Sequence, residues 1–151
     1  MTDTAPEKSG RRLPGDAHRL DVTHVDGDVY VVDVRGHRFR VDQPTDAGGT
    51  DSAPTPTELF TASLATCVAF YAGRYLLRHG LSCDGLAVRA EFAMATDRPA
   101  RVAAVRLMVV PPPQMPEARR AGLLAVASHC TVHNTLQQPP EIGIDLAELA
   151  S

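Results

Sequence analysis

Two cysteines carry the first chemical suggestion in this sequence. Cys67 lies inside a long uncharged run, and Cys130 follows 63 positions later in Ser-His-Cys-Thr-Val-His. Each falls on a segment that reads as a buried helix. If those helices pack, the thiols come within the Cα separation below ~7 Å that a disulfide needs. Such a pair can cycle between dithiol and disulfide. The plain alternative is two small core residues, because free cysteine is among the most buried residue types. Cys83 sits in a Gly-Leu-Ser-Cys-Asp-Gly turn and reads as an exposed bystander.

A thiolate at Cys67 gets no help from a helix N-terminus, since it lies about a dozen residues into its helix. It needs a cation. Arg35, Arg38 and Arg40 are candidates from the N-terminal segment, and His129 and His133 flank Cys130. The plainer reading of each arginine is a solvated surface group. Glu58 reads either as the third residue of a helix-capping box or as part of a thiol-activating network. Nine positions separate Glu58 from Cys67, which at ~100° per residue places them half a turn apart. Glu58 can then serve the thiol only through an arginine or across a subunit interface. His129 and His133, four apart around Cys130, also invite a metal reading. No second Cys-x-x-Cys or His-Glu-x-x-His pattern accompanies them, so no metal is expected. No glycine-rich phosphate loop, dinucleotide fingerprint or Gly-x-Ser-x-Gly motif is present, so no cofactor is expected.

These side chains must be positioned by a small set of elements. Arg19 to Val25, Val29 to Val34 and Arg38 to Asp42 read as an antiparallel meander, with turns at Asp26-Gly27-Asp28 and Arg35-Gly36-His37. Residues 43–54 are a loop rich in Gly, Pro, Asp and Thr. Thr55-Pro56-Thr57-Glu58 then opens a helix, with Thr as N-cap and Pro at the first helical position. The run LFTASLATCVAFYAGRYLL (59–77) is apolar on every face, so it belongs at the centre of a structure. His79-Gly80 ends it. Leu86 to Ala95 and Arg101 to Val110 alternate and read as a hairpin. A second helix starts near Met115-Pro116-Glu117 and runs toward Cys130, with Leu123, Ala127 and Cys130 on one face. Ile142, Ile144 and Leu146 alternate as a last strand. The order predicts an α+β fold with antiparallel sheets. Few elements remain to surround an all-apolar helix, so a homodimer sharing its central helices is expected.

The chain of 151 residues fits one domain, with residues 1–17 as a mobile tail and 18–151 as the domain. Fifteen basic and 18 acidic residues give a net charge of −3, with no basic run. That disfavours nucleic acid and anionic membranes as partners. No apolar stretch reaches the ~20 residues of a membrane span, and no secretory leader is visible. The expected location is cytoplasmic. Three widely spaced cysteines are thiols there rather than a disulfide framework.

The run Pro-Thr-Glu-Leu-Phe-Thr-Ala-Ser-Leu-Ala-Thr-Cys (56–67) and Cys130 in Ser-His-Cys-Thr-Val-His-Asn-Thr-Leu resemble the OsmC/Ohr family. These are osmotically inducible and organic-hydroperoxide-resistance proteins. Arg-Gly-His-Arg-Phe-Arg-Val-Asp-Gln-Pro and Gly-Gly-Thr-Asp (35–51) resemble its general OsmC-like branch, and the resemblance spans about residues 19–147. It implies an intertwined homodimer with antiparallel sheets wrapped around two central helices and two sites at the interface. It also implies a cysteine peroxidase acting on alkyl or fatty-acid hydroperoxides in oxidative stress defence. Cys67 would be the peroxidatic thiol and Cys130 the resolving one, with Glu58 and Arg40 as the activating pair and Arg38 behind Arg40. A dithiol reductant or a lipoylated protein would regenerate the thiols. Phe60, Leu64 and Phe70 would suit an alkyl tail. The chain departs from the family pattern at Thr57, where an acidic residue is usual, and at Thr131, where proline is frequent. A non-catalytic OsmC-like stress or binding protein, holding an apolar ligand, is the alternative reading.

Overall fold

A computed structural model describes Leu13, Gly15 and residues 17–149. The expectation of a mobile tail therefore falls almost wholly outside the described residues. Three strands come first: β1 (Asp21–Asp26), β2 (Val29–Val34) and β3 (His37–Val41). They pair antiparallel in the order β1-β2-β3. The β2–β3 connection is a two-residue turn, Arg35-Gly36, with both residues at positive φ (50° and 82°). Such a turn matches the twist of the flanking strands. It consumes Arg35, and His37 begins β3 instead of completing the turn.

The meander has one apolar and one polar face. Val22, Val32 and Phe39 are cross-strand partners on the first, and Asp33 pairs with Arg38 on the second. Arg38 there donates to Asp33 at 3.0 Å. Val32 is buried, but Val22, Tyr30 and Phe39 on the apolar side are exposed in the single chain.

The loop after β3 is knotted around one carboxylate. Asp42 is 1% exposed. It accepts from the Gln43 N–H at 2.7 Å, from the Thr50 N–H and hydroxyl at 3.3 and 2.7 Å, and from the Ser52 N–H and hydroxyl at 2.9 and 2.7 Å. The Asp42 N–H donates to the Pro54 carbonyl at 3.1 Å. The loop thereby folds back and delivers the chain to Thr55. Its tightest point is Gly49, where a Cβ would sit 2.6 Å from the Gln43 carbonyl carbon and 2.8 Å from Asp42 Oδ1.

Helix α1 (Pro56–Arg78) starts as the sequence predicts. The Thr55 hydroxyl accepts from the Glu58 N–H at 3.2 Å. The helix is not buried all round. Thr61, Leu64, Val68, Ala72 and Leu76 form one buried stripe. Phe60, Phe70 and Leu77 lie exposed on other faces. Strands β4 (Ala87–Met94) and β5 (Val102–Val110) form a separate antiparallel hairpin. Its Val88, Val105, Leu107 and Val109 pack against the α1 stripe, as their alternation predicts. Cys83 departs from expectation. It is half-buried, packs against the same core, and contacts the Gly73 carbonyl at 3.5 Å.

The second helix differs more. A 3-10 turn at Glu117–Arg119 leads into α2 (Arg120–Ala127), and the chain breaks before α3 (Thr131–Gln137). At the break the His129 N–H turns to the Val126 carbonyl at 3.2 Å, and two side chains bond back onto α2. The Ser128 hydroxyl bonds the Leu124 carbonyl at 2.7 Å, and His129 Nδ1 bonds the Ala125 carbonyl at 2.8 Å. These side chains take up carbonyls at the end of α2, while Cys130 turns to extended backbone (φ −70°, ψ 157°) as the N-cap of α3. Leu123 and Ala127 do face the core with Cys130, but Cys130 is not on their helix.

The expected last strand is not formed. Residues 138–149 carry no strand pairing. Ile142 and Leu146 are 78% and 98% exposed. A strand needs an edge to pair with, and within this single chain the segment finds none.

Two outcomes test the loop. Gly49→Ala forces a Cβ onto backbone and should cost about 2 kcal/mol or more, read as a lowered denaturant midpoint. Asp42 is held well below the ordinary carboxylate range, first by the Thr50 hydroxyl and then by the Ser52 N–H and hydroxyl. Its contribution is therefore full above the unfolded value of ~3.9 and drains away as pH falls below it toward the depressed folded value. Denaturation curves at pH 7 and pH 3 should show this loss, and Asp42→Asn should be less stable at pH 7 with a flatter acid limb.

Candidate functional site

The two sulfurs meet where α1 crosses the start of α3. Cys67 is half-buried and packs against the core beside Val68. Its Sγ accepts from the Val132 N–H at 3.5 Å. Cys130 is 0% exposed, and its Sγ accepts from the His133 N–H at 3.4 Å. The two donors are consecutive amides. The first N–H groups of any helix lack intrahelical partners, and here two of them turn to thiol sulfurs. Cys67 also packs against the buried cluster that contains Cys130. So chain segments far apart in sequence bring these two cysteines to one junction.

Their environments differ. Burial is the largest influence on Cys130 and pushes its pKa above the ordinary thiol value. The His133 N–H pulls the other way, and the neighbouring Cys67 thiol adds to the rise. Cys130 is therefore a neutral thiol at neutral pH.

Next to Cys67 on the same face of α1, one turn on, stands Tyr71. Its hydroxyl pairs with the Thr131 hydroxyl at 2.7 Å. That bond ties α1 to the first residue of α3 beside both sulfurs. Thr131 occupies the position where the resemblance leads one to expect proline, and a proline could not make it. Further along that face, Arg74 lies over the Phe70 ring at 5.6 Å. Tyr71 is the residue that sequence reasoning missed, although its spacing of four from Cys67 is the signal that would have found it.

Glu58 and Arg40 are not brought to the thiols within one chain. Glu58 is exposed at the first turn of α1 and enters the cap through its backbone N–H. Arg40 is exposed on the polar face of the meander, opposite Val31. The packing partners of α1 are α2, α3, β4 and β5, whereas the meander strands pack chiefly on one another. Arg38 is paired to Asp33. Phe60 and Phe70 are exposed rather than closed over the thiols, and Leu64 belongs to the core. Thr57 does not supply a charge; its hydroxyl sits 3.1 Å from that of Thr55, the N-cap.

Among the described residues no group of three or more His, Cys, Asp or Glu side chains is arranged to hold a metal ion. Among the same residues no helix is long and apolar enough to cross a membrane.

Comparison with known proteins bears on both fold and site. The family model of OsmC-like proteins matches residues 49–145, which include both cysteines. No curated protein matches the chain. Several solved structures share its fold. A Psychrobacter arcticus protein named for osmotic stress induction and detoxification is 21% identical. It superposes with a TM-score of 0.73 over 82% of this chain and 91% of that one. The organic hydroperoxide resistance protein OsmC of Legionella pneumophila is 16% identical, with a TM-score of 0.62 over 81% of this chain and 90% of that one. A Vibrio cholerae protein named for organic hydroperoxide resistance, with captopril in one of its active sites, is also 16% identical. Its TM-score is 0.56, over 85% of this chain and 90% of that one. With an α+β fold of antiparallel sheets, helices that bring Cys67 to Cys130, and a family match across most of the domain, this chain belongs to the OsmC-like protein family.

Proposed function

We propose that this protein is a cysteine-based peroxidase that reduces organic hydroperoxides. The observation that carries the reading is the pair of sulfurs held by consecutive amides, one half-buried and one fully buried. The Cys67 thiolate attacks the distal oxygen of the hydroperoxide. The O–O bond breaks, the alkoxide takes a proton and leaves as an alcohol, and Cys67 becomes a sulfenic acid. The Cys130 sulfur then attacks Cys67, a disulfide forms, and the sulfenic oxygen leaves as water. An external dithiol, a small molecule or a lipoylated protein, returns two electrons and restores both thiols. Relatives named for organic hydroperoxide resistance support this substrate class.

The working unit in this reading is a homodimer. The single chain leaves Phe60 and Phe70 of α1, the apolar side of the meander and the Ile142–Leu149 segment exposed. Exposed large apolar side chains on several elements are what a partner surface would cover. A second copy would cover these faces and is the route by which Glu58 and Arg40 act on the thiols.

Reduced protein mixed with cumene hydroperoxide should lose two thiols and 2 H in intact mass. Cys67→Ser should abolish the reaction, and Cys130→Ser should stop at a sulfenic acid that dimedone traps. Untouched thiols, with an apolar ligand co-purifying, would replace the peroxidase with a binding role. Sedimentation should give twice the chain mass of 16.2 kDa. A stable monomer would remove the dimer from the scheme.

A further inference from the structure

We propose that His133 is the proton acceptor for Cys130 when the thiol pair closes to a disulfide. The inference deepens the thiol chemistry proposed above and rests on that reading for its biological setting.

Three observations converge on this ring. The His133 backbone N–H donates to Cys130 Sγ at 3.4 Å, so the residue is fixed against the resolving sulfur. Its Nδ1 is buried and has no hydrogen-bond partner among the described residues. A buried polar atom left so costs roughly 1–3 kcal/mol, and native structures tolerate few of them without a use. Other rings in this fold are satisfied: His129 Nδ1 meets the Ala125 carbonyl and His79 Nδ1 the Tyr75 carbonyl, each at 2.8 Å. Only a short covalent path separates Nδ1 of a histidine from its own backbone nitrogen. The ring therefore stands in the same turn as Cys130, and because Nδ1 makes no hydrogen bond to Cys130 Sγ at rest, the transfer takes a turn of the ring toward the sulfur.

The chemistry requires such a group. Cys130 is a neutral thiol, held so mainly by burial. To attack Cys67 it must lose a proton in a place that bulk water does not reach. The titratable side chains that meet at this junction are Cys67 and Tyr71 from α1, and Cys130 and His133 at the start of α3. The Tyr71 hydroxyl is committed to Thr131. A neutral imidazole has a free lone pair that can accept a proton.

The test needs no peroxide. In a Cys83→Ser background, 5,5′-dithiobis(2-nitrobenzoate) supplies the oxidising disulfide. The Cys67 thiolate displaces one aryl thiolate and forms a mixed disulfide. The Cys130 thiol then gives its proton to His133 and its sulfur attacks Cys67, so the internal S–S bond forms and a second aryl thiolate leaves. Absorbance of the released thiolate therefore rises in two phases, and Cys130→Ser identifies the second by abolishing it. In His133→Asn and His133→Gln the ratio of second-phase to first-phase rate should fall roughly tenfold or more. The first phase in each variant reports a folded site, and either variant suffices.

A second phase with the parent's rate relative to the first phase in both variants overturns the inference. So does a parent with no second phase. The peroxide reading is scored separately: thiols that ignore cumene hydroperoxide yet show the His133-dependent second phase defeat the peroxidase and leave the proton acceptor standing.

Discussion

The site depends on a helix that stops. Were α2 to continue through Cys130, the amides of Val132 and His133 would be spent on the carbonyls four residues earlier. Because the backbone breaks at Ser128–Cys130, those two N–H groups start a new helix and have no intrahelical acceptor. Sulfur is a weak acceptor, and the contacts of 3.4 and 3.5 Å are correspondingly long. Their value is positional. Two consecutive donors fix two sulfurs that the chain brings from distant segments, and the Tyr71–Thr131 bond locks the same crossing from its outer side.

The rest of the fold holds α1 at the height where Cys67 meets that break. Leu64, Val68, Ala72 and Leu76 set the rotation of the helix by burying one stripe against the β4–β5 hairpin and α2. Cys67, next to Val68, is turned to the edge of that stripe, which is why it is half-buried rather than sealed. The N-terminal end is set by the Asp42 knot and by the Thr55 cap. The Gly-Gly-Thr-Asp stretch thus has a structural use. Thr50 feeds the carboxylate and Gly49 lets the loop close on it.

What the sequence revealed follows from which signals are local. Thr55-Pro56-Thr57-Glu58 contains its own cap donor and acceptor, so the start of α1 was readable to the residue. The β4–β5 hairpin was readable because Val88, Val105, Leu107 and Val109 alternate. The break before Cys130 was hidden. Apolar positions at 123, 127 and 130 satisfy a continuous helix and a helix ending at 127 followed by a buried cap equally well. What separates the two is the backbone at Ser128–Cys130, where the His129 N–H turns to the Val126 carbonyl and Cys130 becomes extended, which periodicity does not encode. Cys83 was hidden for a similar reason. A turn-like sequence says nothing about the helix on which the turn lands, and here it lands on Gly73 of α1. Ile142, Ile144 and Leu146 have strand alternation but no edge within the chain, so a correct local pattern gave no strand. Arg40 and Glu58 sit on surfaces whose partners one chain does not supply.

The unequal burial of the two thiols also assigns an order to the chemistry proposed. A sulfur that meets a hydroperoxide must be reachable and must ionise without a large penalty. Cys130 meets neither condition, being fully enclosed and pushed toward its neutral form chiefly by burial. Cys67 is the partly open member of the pair. Reversing the roles would require a bulky peroxide to enter the core past Leu123 and Ala127, with an ionised sulfur waiting there unsolvated. The enclosed position suits the resolving thiol instead. Its target is one neighbouring sulfur already in place, so enclosure costs it no access and keeps competing water and foreign thiols away from the attack. The same enclosure removes water as the receiver of its proton, which makes the proton's destination a structural matter for the residues at the start of α3.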